Sequence, residues 1–215
     1  YAPLADILRS KGAQTTLEER VWFAKEAFAV SSLYDSAIFN YFDGDNASMF
    51  RKAVNHPKSL RYGENPHQKG YFYGDFEAMF DQIHGKEISY NNLLDINAAV
   101  DLIDEFEETT FAVLKHNNAC GLASRETLLE AWNDALAGDP VSAFGGVLIT
   151  NRAIDKETAE EINKIFFEVI IAPDYDVNAL EILTQKKNRI ILVRKETEMP
   201  RQQYRSVLNG VLVQD

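Results

Sequence analysis

Cysteine is almost missing from this 215-residue chain, with Cys120 the only one. One thiol can close no internal disulfide, and no cysteine pair exists to hold a structural zinc, which suits the reducing cytosol and sets a cytoplasmic expectation. Positive charge is in deficit as well: Lys and Arg total 22 against 33 for Asp and Glu, a formal net charge of −11. A field of that sign repels a phosphate backbone, so neither a general nucleic-acid binder nor a peripheral protein of anionic membranes is expected. A small anionic substrate held by a few local cations is compatible with it.

Long apolar runs are lacking too. No uninterrupted stretch approaches the ~20 residues that span a bilayer, and Tyr1-Ala-Pro-Leu-Ala-Asp6 has no basic region followed by an apolar one. Neither a membrane span nor a signal segment is expected. The chain opens without Met and closes on the apolar, strand-like run Val211-Leu-Val-Gln-Asp215, as an excerpt of a longer polypeptide would. His56, His67, His84 and His116 show no H-E-x-x-H spacing, so no metal is expected. A G-x-S-x-G elbow, a Walker loop and a dinucleotide fingerprint are also missing.

What the chain does contain is a globular composition, 46% apolar, 11% aromatic and 26% charged, which excludes a disordered or collagen-like class. Thr16 followed by Glu19 is a capping box, and apolar residues recur at helical spacing through Val21, Ala24 and Phe28, then Tyr34, Ala37, Ile38 and Tyr41. Residues 15–42 are therefore expected as two helices or one bent helix. The turn chemistry of Asp43-Gly44-Asp45-Asn46 places a domain boundary there, giving domains 1–45 and 46–215.

Beyond residue 90, helix and strand alternate. Helices are expected over 93–106, 126–137, from Asp155 to about 167, and over 177–185; strands over 110–114, 147–150, 169–172 and 189–193. The class is α/β with a mixed or parallel sheet. The acidic residues Asp101, Asp104, Glu105, Glu107 and Glu108 read as a solvated face.

Four segments between these elements carry side chains suited to chemistry. In Leu60-Arg-Tyr-Gly-Glu-Asn-Pro-His-Gln68, Gly63 and Pro66 forbid a continuous helix, so Arg61 is displayed on a loop as a fork for phosphate or carboxylate. A surface loop with structural hydrogen bonds is the other reading. In Ala112-Val-Leu-Lys-His-Asn-Asn-Ala-Cys-Gly121, an apolar strand ends in Lys115 and His116, at the carboxyl end where ligands of open α/β sheets bind. Histidine takes a proton near neutrality, and the neighbouring lysine supplies a fixed positive charge. Cys120 beside them is expected to be buried and inert. In Asp139-Pro-Val-Ser-Ala-Phe-Gly-Gly146, Gly145 and Gly146 remove side chains where a ligand or another backbone comes close. Glu168-Val-Ile-Ile-Ala-Pro173 is a short buried strand, with Glu168 either a helix-terminal carboxylate or a ligand.

Taken in order, RYGENPHQ at 61–68, ISYNNLLDINAA at 88–99, KHNNACG at 115–121, DPVSAFGG at 139–146 and EVIIAP at 168–173 closely resemble one family. It is the bifunctional purine biosynthesis protein that joins IMP cyclohydrolase to 5-aminoimidazole-4-carboxamide ribonucleotide (AICAR) transformylase. The segment YDSAIFNYF at 34–42 resembles the end of the cyclohydrolase domain, and residues 46–215 resemble the first half of the transformylase domain. The resemblance implies a cytidine-deaminase-like α/β/α half-domain preceded by a helical segment. It does not imply deaminase chemistry, since the zinc ligands of that class need more than one cysteine.

The reaction implied is formyl transfer from the co-substrate 10-formyltetrahydrofolate to the 5-amino group of AICAR, in a protein that then cyclises the product to IMP. The family's catalytic lysine and histidine match Lys115 and His116, and its substrate-contacting residues match Arg61, Tyr62 and Gly145. Glu168 stands where some members carry Asp, as a contact to a nucleotide hydroxyl or amide. The amine is a weak nucleophile, so His116 is cast as the base, with Lys115 as oxyanion stabiliser or as proton donor to the departing folate nitrogen. The resemblance also implies a homodimer and an excerpt that is inactive alone. The rival readings are a non-catalytic dimerisation and nucleotide-binding fragment, and a metal-free deaminase or hydrolase using His116 and Glu168.

Overall fold

The structure is a computed structural model describing residues 1–46, 48–54, 57–197 and 202–214. The chain forms two compact units, residues 1–55 and 56–215.

The first unit is helical. A short helix α1, Ala2–Ser10, precedes the 27-residue α2, Leu17–Asp43, and a 3₁₀ turn follows over Gly44–Asn46. The capping box at the start of α2 is formed: Thr16 Oγ1 accepts the Glu19 N–H at 3.2 Å, and Glu19 Oε2 accepts the Thr16 N–H at 2.8 Å. Of the two expected alternatives, a single helix is found. Neither Gly nor Pro interrupts 17–43, and the Ser31 and Ser32 hydroxyls bond back to the carbonyls of Phe28 and Ala29, so the serine pair is accommodated inside the helix. Neither helix buries a single residue, and Phe28, Val30, Tyr34, Tyr41 and Phe42 are all exposed.

The second unit opens with an antiparallel pair, β1, Pro57–Ser59, and β2, Tyr71–Tyr73. There follow α3, Phe76–Met79; β3, Phe80–His84; α4, Tyr90–Ile103; β4, Thr110–Lys115; β5, Asn118–Ser124; and α5, Leu128–Gly138. The series continues with β6, Val147–Thr150; α6, Lys156–Ile162; β7, Val169–Ala172; α7, Val177–Leu183; and β8, Ile190–Arg194. An exposed hairpin ends it, β9, Gln203–Val207, and β10, Gly210–Gln214; this hairpin contains the strand-like run expected at 211–215, of which Asp215 lies outside the described residues.

Six strands make one mixed sheet in the order β3-β8-β7-β6-β4-β5. The strands β6, β7 and β8 run parallel, while β4 is antiparallel to both β5 and β6, and β3 is antiparallel to β8. Alternation along β4 shows why the sheet is covered on both sides. Phe111 and Val113 enter one core with Trp132 of α5, Ala159 and Ile162 of α6 and Ala179 and Leu183 of α7. Ala112 and Leu114 enter the other with Ile96, Ala99, Val100 and Ile103 of α4. Such strands, buried on both faces, read as continuous apolar runs. The α/β class expected from the sequence is what forms.

Four details depart from the sequence reading. Helix α6 ends at Ile162, because the chain must then alternate: Phe167 is buried in the core and Phe166 is left exposed. β3 was not anticipated, since Phe-Asp-Gln-Ile-His lacks a regular apolar alternation. β5 was not anticipated either, being built from small residues; a Cβ at its Gly121 would lie 1.8 Å from the Ala135 carbonyl oxygen, so glycine there lets α5 pack directly on the strand. Finally, Asp104 is more than part of a solvated face, because its two carboxylate oxygens accept from Arg194 of β8 at 2.6 and 2.7 Å.

Candidate functional site

Lys115, His116, Gly145 and Glu168 lie at one end of the strands of the six-stranded sheet. Lys115 is the last residue of β4, and His116 and Asn117 form the two-residue turn into β5, where Lys115 pairs with Asn118. Both turn residues have positive φ, 51° and 61°, the backbone of the two-residue hairpins that match strand twist. That conformation disfavours side chains other than Gly and Asn, so His116 is held there by its surroundings. The Asn118 amide donates to the His116 carbonyl at 2.8 Å, and Asp95 Oδ1 of α4 accepts the Asn117 N–H at 2.7 Å. His116 itself is exposed. The turn takes only His116 and Asn117, because Asn118 is already paired in β5.

The half-buried Lys115 turns to the adjacent loop and donates from Nζ to the Phe144 carbonyl at 2.7 Å. An ammonium has three donors, so this contact orients the group and leaves two for a ligand. Gly145, at φ 78°, donates its N–H to the Phe166 carbonyl at 2.8 Å. A Cβ on Gly146 would meet the Leu114 carbonyl oxygen at 2.6 Å, so the pair of glycines lets this loop lie against the end of β4.

Glu168 comes next along the edge. Its N–H donates to the Gly146 carbonyl at 3.0 Å, and its carboxylate accepts from Lys86 Nζ at 2.6 Å. Beyond it lies Arg189, whose carbonyl is 2.8 Å from His84 Nδ1. The row Lys115, Gly145, Glu168 and Arg189 thus crosses four neighbouring strands. It lies at the carboxyl end of β4, but because β4 opposes its neighbours, it lies at the amino ends of parallel β6, β7 and β8. The sheet is mixed there, so β4 presents its carboxyl end beside the amino ends of its neighbours.

Arg61 and Tyr62 lie on an exposed loop closed by Gly63 N–H donation to Gln68 O at 2.8 Å and Leu60 N–H donation to Gly70 O at 3.0 Å. The Arg61 guanidinium stands 5.6 Å from the Tyr62 ring centroid. The loop is tied to α4 through Asn91, whose side-chain amide donates to the Glu64 carbonyl at 3.2 Å. Asn91 and Asp95 are four residues apart, one turn on the same helix face, so α4 holds the Arg61 loop with one residue and the His116 turn with the next.

Cys120 is a poor nucleophile. Burial raises its thiol pKa above the ordinary value, the negative charge of Asp139 adds to this, and Lys115 opposes it only in part. Among the described residues no three His, Cys, Asp or Glu side chains converge as a metal site, and His56 lies outside those residues. No helix among them is long and apolar enough to cross a membrane.

Comparison with known proteins decides the family. The model of the AICARFT/IMPCHase bienzyme matches residues 1–215, the full chain. The chain belongs to the AICARFT/IMPCHase bienzyme family. The bifunctional purine biosynthesis protein PurH of Bacteroides thetaiotaomicron is 79% identical over 215 residues, covering 100% of this chain and 42% of that protein. The PurH proteins of Rhodospirillum rubrum and Chloroflexus aurantiacus are 46% and 45% identical, again over 100% of this chain and 43% of their own lengths. The chain therefore spans less than half the length of the curated relatives it matches.

Within this member of the family, Asp95, Lys86 and Arg189 are the edge residues that sequence reading did not single out. Asp95 lies inside the quoted ISYNNLLDINAA stretch but carries no signal of its target. Lys86 follows a turn glycine and reaches a partner 82 residues away, and Arg189 reads as the first residue of a strand.

Proposed function

We propose that the chain is part of a purine-biosynthetic transformylase, contributing the nucleotide-side catalytic residues for formyl transfer from 10-formyltetrahydrofolate to AICAR. The observation that carries this reading is the Lys115 ammonium, fixed 2.7 Å from the Phe144 carbonyl beside Gly145, with His116 exposed in the turn that follows. An open glycine loop, a fixed cation and a free imidazole are the parts that acyl transfer to a weak amine needs.

In this reading the AICAR amine attacks the formyl carbon while His116 takes the amine proton. Negative charge collects on the formyl oxygen, and the folate N10–carbon bond then breaks, N10 leaving with a proton. Lys115 either stabilises the oxyanion with its two remaining N–H groups or supplies that proton. Arg61 and Tyr62 hold the anionic and aromatic parts of AICAR, and Glu168 takes a hydroxyl or amide of the nucleotide. The cytidine-deaminase-like half-domain, the homodimer and the cytoplasmic setting belong to the same proposal, as does cyclisation of the product to IMP by the rest of the protein.

A second reading is favoured by the coverage of the relatives, 42–43% of their length: the 215-residue chain alone is a nucleotide-binding and dimerisation portion without turnover. The deciding assay follows formyl transfer with the full-length protein and with this chain. Transfer by the full-length protein that is lost on His116→Ala supports the proposal. Transfer unaffected by that change removes it, and turnover by the 215-residue chain removes the second reading.

A further inference from the structure

Glu168 is the acid in the row of Lys115, Gly145, Glu168 and Arg189, and a cation distant in sequence reaches it. Lys86 Nζ donates to Glu168 Oε2 at 2.6 Å across 82 residues, with the two side chains 40% and 31% exposed. Ion pairs this open to solvent add little to stability, because water screens them and two long side chains lose freedom. Yet both ends of this pair are held in place. Gln82 of β3 donates from Nε2 to the Lys86 carbonyl at 2.8 Å. Gly85 has φ 102°, and a Cβ there would lie 2.2 Å from the Arg189 carbonyl oxygen, so glycine brings the connection that carries Lys86 onto the start of β8. On the other side, the Glu168 N–H donates to the Gly146 carbonyl at 3.0 Å, and the Ile190 N–H donates to the Glu168 carbonyl at 2.9 Å.

The pair leaves the carboxylate half used. Among the described residues, Lys86 is the hydrogen-bond partner of this carboxylate and takes Oε2, so Oε1 remains an acceptor. A glutamate side chain has several torsions to lose when a ligand orders it, and an ion pair made in advance removes part of that cost. The ammonium also offsets a negative charge that would otherwise repel an anionic ligand, in a chain whose net charge is already −11.

We infer that Lys86 is a positioning residue: it orders the Glu168 carboxylate and offsets its charge, so that Oε1 accepts a hydroxyl or amide hydrogen from an anionic nucleotide. The identity of that nucleotide, AICAR, rests on the proposed function, while the role of Lys86 rests on the geometry of the pair. Lys86 acts through Glu168 and not by touching the nucleotide.

The test uses the full-length protein as wild type, Lys86→Met, Lys86→Arg, Glu168→Ala and the double variant Lys86→Met/Glu168→Ala. Both side chains are partly exposed, so these changes leave the fold intact. Equilibrium dialysis with AICAR reads binding without turnover. Lys86→Met should weaken AICAR about fivefold, the order expected for two side chains in contact, and Lys86→Arg should return it to within about twofold of wild type. In the Glu168→Ala background, Lys86→Met should change the affinity by less than about twofold, because no carboxylate remains to be positioned. Equal affinities of wild type and Lys86→Met overturn the inference. An equal loss in both backgrounds overturns it too, because Lys86 would then contact the nucleotide itself. A wild type that binds AICAR but transfers no formyl group removes the proposed function, and the dialysis still decides the role of Lys86. A wild type that binds no AICAR removes both.

Discussion

Asp95 of α4 accepts the backbone N–H of Asn117 at 2.7 Å, and this bond holds the turn that displays His116. The turn places two residues other than glycine at positive φ, a conformation that costs on the order of 1–2 kcal/mol per residue, somewhat less for Asn. Asp95→Ala should therefore let the turn relax and lower kcat about tenfold or more in the full-length protein, with KM for AICAR little changed. Asp95→Asn keeps an acceptor oxygen and should recover most of the loss. Equal damage from both variants would show that the carboxylate charge, not the position of the acceptor, matters.

On the proposed function, His116→Ala should lower kcat by about 10²–10⁴-fold, the usual range for a general base. Lys115→Ala should also act mainly on kcat, and the two losses should not add, because the proposed mechanism has both residues serve one transition state. Arg61→Ala should instead raise the KM for AICAR. Steady-state kinetics of the three variants separate these effects, and a His116→Ala enzyme within about threefold of wild-type kcat would take His116 out of the base role.

Gly121→Ala sets a new methyl 1.8 Å from the Ala135 carbonyl oxygen, backbone that cannot move without separating α5 from β5. Overpacking of this kind should destabilise the second unit by about 3 kcal/mol. Gly210→Ala is the control, because the nearest atom there is 3.9 Å away. Urea unfolding of both variants checks the pair; equal midpoints would contradict the close packing of α5 on β5.

Burial raises the pKa of Asp101 above the ordinary aspartate value, with Asp104 adding to the rise and the Asn97 amide opposing it. A raised folded-state pKa means the folded protein binds this proton more tightly than the unfolded chain, so ionisation works against folding. The cost is absent below the unfolded-state pKa and complete above the folded-state one. Asp101→Asn should raise Tm at pH 7 and leave it unchanged near pH 3. A variant equally stabilised at both values would owe its gain to something other than the charge.

Much of this was legible in the linear chain. The apolar runs of β4, β6, β7 and β8, the capping box at Thr16 and the glycines of the 139–146 loop each act within a few residues, and local pattern carries them. The family, too, is written in short ordered motifs. The edge strands β3 and β5 were not legible, because each is stabilised by a partner distant in sequence, Ile191 for His84 and the Ala135 backbone for Gly121, rather than by its own alternation.

The sequence by itself determined which residues are candidates for chemistry: Lys115 and His116 at the end of an apolar run, Arg61 on a broken loop, Gly145 before a strand. Only the tertiary structure decided that Lys115, His116 and Gly145 share one end of the sheet. It did so by setting β4 antiparallel to β6, which brings the end of one strand beside the start of the next three. It also decided what holds the site, since Asp95 and Asn117, Lys86 and Glu168, and Arg189 and Asn163 lie 22 to 82 residues apart and meet only when two cores close on the sheet. Contacts across such separations leave no periodic trace in a sequence, because their geometry comes from packing rather than from the local backbone.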